Sequence, residues 1–198
     1  GHSLKDLPAG AVVGTSSLRR QAQILSLRPD LKVKSIRGNL DTRIGKLKAG
    51  HYDAILLAVA GLNRMQWSDE ITEILPVSVM LPAVGQGALA VECRADDDEV
   101  KEMLLQIHHP ETALSVQTER AFLQAFQGGC HLPIAALAEV RGEQIKLTGL
   151  LAHPSGKPVL KGSMEGSHPE QVGKELAKQF MEQGAKNILV SAFEADVV

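Results

Sequence analysis

The chain is poor in aromatic residues, with one Trp, one Tyr and four Phe among 198 positions. Few stacking platforms are on offer, which argues against single-stranded nucleic acid as a ligand. No recognisable nucleic-acid-binding motif is present either, so no nucleic-acid partner is expected. There are only two cysteines, Cys93 and Cys130, without metal-ligand spacing. That is no disulfide framework, and it suits a reducing cytoplasm. No apolar run is long enough to cross a bilayer and the first residues carry no signal-peptide pattern, so no membrane partner is expected. A glycine-rich nucleotide loop, a Ser/His/Asp arrangement, internal repeats and low-complexity segments are all missing. The adjacent pair His108-His109 lacks helical ligand spacing, and no metal site is expected. Position 1 is Gly, not an initiator Met, so a processed or cut piece of a longer protein is expected.

What is present is unevenly charged. The net charge is −2, yet residues 15–64 hold ten Lys/Arg against three Asp/Glu, a balance of +7. The rest of the chain, with eleven against twenty, carries −9. A basic segment in an otherwise acidic protein points to a local anionic ligand. Within it lies Gly14-Thr15-Ser16-Ser17-Leu18-Arg19-Arg20, where an apolar strand hands over to a helix. Ser16 or Ser17 can cap that helix, whose N-terminus carries free N–H donors and partial positive charge. Two adjacent arginines add planar, permanently charged forks suited to carboxylates and phosphates.

Strands are expected over residues 10–14, 31–36 and 53–59, with helices over 17–27 and 40–49 between them. In the first helix Leu18, Ala22, Leu25 and Ile24 share a face at helical spacing. The nearly continuous apolar run from Asp53 to Gly61 reads as a strand buried on both faces. Strand–helix–strand repetition implies a parallel sheet, whose ligands sit beyond the carboxyl ends of its strands. The 14–20 turn, Arg37-Gly38-Asn39 and residues 58–61 all lie there, and Arg43 can reach the same rim. After a glycine-containing crossover at 81–88, helices are expected over 96–108 and 110–126, the second stopped by Gly128-Gly129. The first of these has Val100, Met103, Leu104 and Ile107 on one face. Antiparallel strands over 132–140, 144–152 and 158–164, a helix over 172–183 and a last strand over 187–191 complete a small α+β unit. The fold class is thus α/β: a parallel or mixed sheet domain followed by a small α+β domain with a three-stranded antiparallel sheet.

Arg19, Arg20, Arg37 and Arg43 form the main constellation. Converging on one sheet edge, they would repel each other unless an anion or a carboxylate sat among them. Cys130 is the second candidate. It follows two glycines in a helix-to-strand loop, and nearby positive charge would lower its pKa and make it nucleophilic. Cys93, in the strand-like Ala90-Val-Glu-Cys93, is expected in the core.

Six motifs occur in order: Gly14-Thr-Ser-Ser-Leu-Arg-Arg20, Ile36-Arg-Gly-Asn39 with Thr42-Arg43, the Leu57–Leu62 run, Ala83-Val-Gly-Gln-Gly-Ala88, Glu119-Arg-Ala-Phe122, and Gly128-Gly-Cys130 with Pro133. Together they resemble the hydroxymethylbilane synthase, or porphobilinogen deaminase, family over essentially the whole chain. The resemblance implies a periplasmic-binding-protein-like, anion- and cofactor-binding α/β domain over residues 1–86, the second domain of the family. It implies a crossover and helix over 87–109 and an α+β domain over 110–198 that carries the cofactor cysteine. It implies a tetrapyrrole-forming transferase that joins four porphobilinogens head to tail with loss of ammonia. Each step passes through an electrophilic azafulvene, whose developing positive pyrrole nitrogen a carboxylate stabilises. The implied cofactor is dipyrromethane, bound through a thioether to Cys130. Thr15, Ser16, Ser17, Arg19, Arg20, Arg37, Arg43 and Gln86 match cofactor-binding positions. Arg19, Arg20, Arg37, Arg43 and Arg64 match substrate-binding ones.

The resemblance places the catalytic aspartate and a neighbouring lysine in a domain preceding this stretch. Asp41 and Asp53 do not match it, so no catalytic residue is expected here and this chain alone should not turn over porphobilinogen. The partners implied are porphobilinogen, the growing oligopyrrole and that further domain, against which the 96–108 helix would pack. Without it the exposed apolar face favours self-association, whereas the full-length protein is expected to be a monomer. A competing reading is a non-catalytic anion-binding module, which would have no need of a modified Cys130.

Overall fold

A computed structural model describes residues 2–126 and 132–196, and Gly14 stands where its first strand ends. Three short parallel strands, β1 (Val12–Gly14), β2 (Lys32–Lys34) and β3 (Ala54–Ile55), pair in the order β2-β1-β3. Val13 sits opposite both Val33 and Ala54. Helices α1 (Leu18–Leu27) and α2 (Leu40–Lys48) are the crossovers. Each starts at a polar cap: Ser17 accepts from the Arg20 N–H, and Asn39 Oδ1 accepts from the Thr42 N–H at 3.0 Å. Asp41 in the first turn of α2 and Lys46 and Lys48 in its last complement the helix dipole. Leu7, Ala11, Val13, Ile24 and Leu31 form the core of this lobe.

The strand expected over residues 53–59 is much shorter. Only Ala54 and Ile55 pair with β1, and the chain turns into helix α3 (Val59–Arg64). β3 is an edge strand against a three-residue neighbour, so the ladder has nothing to extend along, and residues 54–59 are half-buried rather than enclosed. A 3-10 turn (Ser68–Glu70) and an irregular stretch follow, then α4 (Asp98–Leu105), capped by Asp97 and shorter than the expected 96–108.

The second lobe starts with α5 (Pro110–Gln124) and continues through antiparallel β4 (Ile134–Arg141), β5 (Gln144–Ala152) and β6 (Val159–Gly166). Helices α6 (Pro169–Glu182) and α7 (Ala185–Asp196) close it. Phe122 meets Phe126 and Phe180 edge-on at 5.1 and 5.5 Å, over Ile145, Leu147, Leu151 and Leu176. The final strand expected over 187–191 is instead part of α7. Ile188, Leu189 and Ala192 are buried while Val190 is half exposed, a helical spacing that the short apolar run did not reveal. The Gly128-Gly129 stop lies outside the described residues. Among the described residues no helix is long and apolar enough to cross a membrane.

α1 lies between the two sheets. Its Ala22 is fully enclosed by Leu81, Ala135, Leu150 and Ala152. Gln21 Nε2 donates to the Pro154 carbonyl at 3.2 Å, and Lys161 Nζ donates to the Ser78 carbonyl at 3.1 Å. The β5–β6 turn presses on the α1 backbone through Gly156, at φ +90°, where a Cβ would stand 2.5 Å from the Leu25 carbonyl carbon. Gly156→Ala should therefore cost both left-handed strain and a backbone clash, about 2–4 kcal/mol by urea denaturation. Gly142→Ala, at φ +61° but facing open space, should cost only about 1 kcal/mol.

Candidate functional site

The β1–α1 turn is shaped by its own hydroxyls. Thr15 is buried, its N–H donates to the Lys34 carbonyl at 3.0 Å, and its Oγ1 accepts from the Ser17 N–H at 3.2 Å. Ser16 Oγ donates to the Ile36 carbonyl at 2.6 Å, accepts from the Ile36 N–H at 3.1 Å, and lies 2.9 Å from Ser35 Oγ. Of the two serines proposed as cap, Ser17 fills the role. The turn thus stitches the ends of β1 and β2 together at the carboxyl edge of the sheet.

The arginines do not all converge on one point. Arg19 is buried, with Nη1 donating to the Leu81 carbonyl at 2.7 Å and Nη2 to Gln86 Oε1 at 3.2 Å. Burial first, and the adjacent Arg20 charge second, lower its pKa to about 10. Arg20 points the other way, its Nη1 on the Leu56 carbonyl at 2.9 Å, and burial and the Arg43 charge lower its pKa as well. Arg43 Nε donates to the Gly38 carbonyl at 2.7 Å, and Arg37 is exposed. Arg64 is exposed in the last turn of α3 and lines neither cavity described below. Among the described residues, none of these five arginines is in an ion pair. The acceptors of Arg19, Arg20 and Arg43 are backbone and amide oxygens, which orient these three without neutralising them.

Two cavities flank the turn. One, of about 540 Å³, is the more polar of the two, with polar and apolar walls in equal share, and lies between the lobes, lined by Thr15, Ser17, Arg19, Arg37 and Leu132 among others. Leu123 and Ile134, also in its wall, bracket the α5–β4 connection that contains Cys130. Cys130 itself lies outside the described residues. The other, of about 490 Å³, is largely apolar and sits against β3, α2 and α3, with Arg19, Arg20 and Gln86 in its wall. Arg19 therefore divides the two spaces. Cys93, expected in the core, is exposed, because residues 87–97 form no strand.

Three contributors were not singled out from the sequence. Gln23, buried in α1, pairs with the Leu81 peptide: Oε1 accepts its N–H at 2.8 Å and Nε2 donates to its carbonyl at 3.1 Å. Ser35 lines the polar cavity. Glu119, buried on α5, accepts from the Gly85 N–H at 2.6 Å and the Ala138 N–H at 2.9 Å. It thereby ties the segment that carries Gln86 to α5 and β4. Glu119 stood inside a quoted motif, but nothing in the local pattern marked it as enclosed.

Burial pushes the Glu119 carboxyl above the ordinary glutamate range, against the two backbone N–H donors that favour its charged form. Its contribution to stability is thus fully present below the ordinary glutamate pKa and is lost as pH rises through the raised value. Glu119→Gln places an NH₂ against an N–H donor and should cost about 1–3 kcal/mol in acid. Urea denaturation at successive pH values should show the gap to wild type narrowing as pH rises.

The fold and this site define a two-lobed α/β protein with a cationic, carboxylate-compatible cavity between the lobes. Residues 1–102 match the family described as porphobilinogen deaminase, dipyromethane cofactor binding domain, and residues 113–182 match the porphobilinogen deaminase C-terminal domain. A porphobilinogen deaminase of Geobacillus kaustophilus is 54% identical over 187 residues, covering 94% of this chain and 60% of the relative. That of Geotalea uraniireducens is 48% identical over 199 residues, covering 100% of this chain and 63% of the relative. That of Listeria monocytogenes is 47% identical over 191 residues, covering 95% and 62%. The chain belongs to the porphobilinogen deaminase family. It spans about 60% of the length of the curated relatives it matches.

Proposed function

We propose that this chain supplies the pyrrole-carboxylate binding part of a hydroxymethylbilane synthase, which condenses four porphobilinogens into a linear tetrapyrrole with release of ammonia, in a reducing cytoplasm. The observation that carries the reading is the set of arginines without carboxylate partners around a cavity walled also by Leu123, Leu132 and Ile134, which flank in sequence the segment that contains Cys130. Porphobilinogen bears an acetate and a propionate, and a planar guanidinium binds a carboxylate through two parallel hydrogen bonds. In this reading Arg19 and Arg37 meet carboxylates inside the cavity, while Arg20 and Arg43 raise the positive potential at its rim. Ser17 and Thr15 bring hydroxyls to the same wall, and Gln86 holds Arg19 at a fixed angle. Arg64 would act at a distance, through its charge.

The cavity suits a dipyrromethane in donor chemistry and in size, since about 540 Å³ lies within the range of small-molecule sites. When bound, that group supplies a tethered, nucleophilic pyrrole carbon from which the chain grows. Cys130 is the residue that would hold it, and Arg19, Arg37, Thr15 and Ser17 would orient its carboxylates. Desolvation of Arg19 strengthens its contact, because fewer waters compete for its donors.

In the same reading residues 1–86 are a periplasmic-binding-protein-like domain, 87–109 a crossover, and 110–198 the cofactor-bearing domain. The exposed Leu89, Val91, Met103, Leu105 and Ile107 around α4 would be covered by the further domain that holds the catalytic carboxylate. The full-length protein would be a monomer, and this chain alone would self-associate through that surface.

The chain alone should form no bilane from porphobilinogen. Combined with the remaining part of a relative and given porphobilinogen, it should gain the mass of two linked pyrroles. Peptide mapping should place that mass on Cys130; an adduct elsewhere, or none, would overturn the assignment. Arg37→Ala should weaken porphobilinogen binding about tenfold by calorimetry at low salt, the loss of one charge-assisted carboxylate contact.

A further inference from the structure

We infer that Lys46 is a positioning residue that sets the direction of Arg37, an inference that rests on the pyrrole-carboxylate reading above. Arg37, Gly38 and Asn39 form the turn that leads into α2. The Arg37 carbonyl accepts from Lys46 Nζ at 3.1 Å, and the next carbonyl, that of Gly38, accepts from Arg43 Nε at 2.7 Å. Asn39 Oδ1 accepts twice from Thr42, from its N–H at 3.0 Å and its hydroxyl at 2.7 Å. Gly38 itself is at φ +123°, and a Cβ there would stand 2.7 Å from Thr42 Cγ2. One face of α2 therefore grips the turn at successive positions, and the Arg37 side chain lines the polar cavity from that fixed base.

A lysine in the last turn of a helix ordinarily spends its charge on the helix's own last carbonyls. Lys46 keeps its charge at that end of α2 but makes its hydrogen bond nine residues back, to the Arg37 carbonyl. It also adds a third cation beside Arg37 and Arg43, and among the described residues none of the three is in an ion pair. Like charges gathered on one turn and the helix after it oppose folding, so a purely structural bond to one carbonyl would be served as well by a neutral donor. The arrangement makes sense where an anion is to be met: Lys46 anchors the turn and holds the field positive, and Arg37 makes the contact.

The test compares Lys46→Met and Lys46→Arg with wild type in the whole 198-residue chain. Backbone ¹⁵N relaxation of residues 37–39 without ligand should show lost order in Lys46→Met and retained order in Lys46→Arg. Porphobilinogen affinity by calorimetry at low salt should fall about fivefold in Lys46→Met and stay within about twofold in Lys46→Arg. The melting temperature of Lys46→Met should not drop, whereas loss of a merely structural bond would lower it. Unchanged order in Lys46→Met overturns the inference whatever the binding result. So does lost order with unchanged affinity. If wild type binds no porphobilinogen, the pyrrole reading of the site fails, and the relaxation result alone decides whether Lys46 positions the turn.

Discussion

The double use of helix α1 is the constraint on which the rest of the structure depends. One side of α1 completes the core of the parallel lobe through Ile24, and Ala22 on another side is enclosed against the antiparallel sheet. Its N-terminus faces the cavity, and two of its side chains, Arg19 and Gln23, hold the Leu81 peptide that leads from one lobe toward the other. A helix held this way has little freedom to tilt. The small Ala22 and the bare Gly156 let the second lobe approach closely enough to fix it, and a larger side chain at either place would push the sheets apart. Glu119 works from the far side, securing the segment that carries Gln86 to the α5–β4 pair. Arg19 and the bases of the α5–β4 connection thus belong to one connected framework.

The electrostatics of the site follow from what the arginines lack. Carboxylate partners would have stabilised them and occupied their forks. Carbonyl and amide oxygens instead hold Arg20 and Arg43 by one bond each and Arg19 by two, and leave other donors free. Burial lowers the pKa of Arg19 and Arg20, helped by the Arg20 charge for the first and the Arg43 charge for the second, yet Arg19 at about 10 is still charged at neutral pH. The resulting positive potential is present before any anion arrives, so binding needs little reorganisation.

The parts of the fold legible in sequence were those with local causes. The Ser17 and Asn39 caps, the strand–helix alternation of the first lobe, and the antiparallel hairpins at 141–144 and 152–159 each have a signal within a few residues. What was misread depended on neighbours. Residues 53–59 have the apolarity of a buried strand, but the strand they pair with is three residues long, and most of the run goes unpaired. Residues 187–191 are apolar enough for a strand, and only packing against the second-lobe core decides for helix. At the site, residue types were readable and directions were not. Arg19 and Arg20 are adjacent, so they leave α1 about 100° apart: Arg19 lines both cavities and Arg20 only the apolar one. Gln23 and Glu119 were silent because their partners, Leu81, Gly85 and Ala138, are brought to them only by the tertiary fold.

The bond from Gln21 to the Pro154 carbonyl joins residues 133 positions apart, and it belongs to the contact that closes the two sheets around α1. A polypeptide emerging in order must therefore wait for its β5–β6 turn before the outer side of α1 is covered. Until then Ala22 and its neighbours present an apolar stripe to water. Contacts of such long range make the search for the native state slow, since the entropy of closing the intervening chain is spent before the contact rewards it. The two lobes are separate in secondary structure, but they cannot mature separately: the first acquires its final form only when the second arrives to complete it.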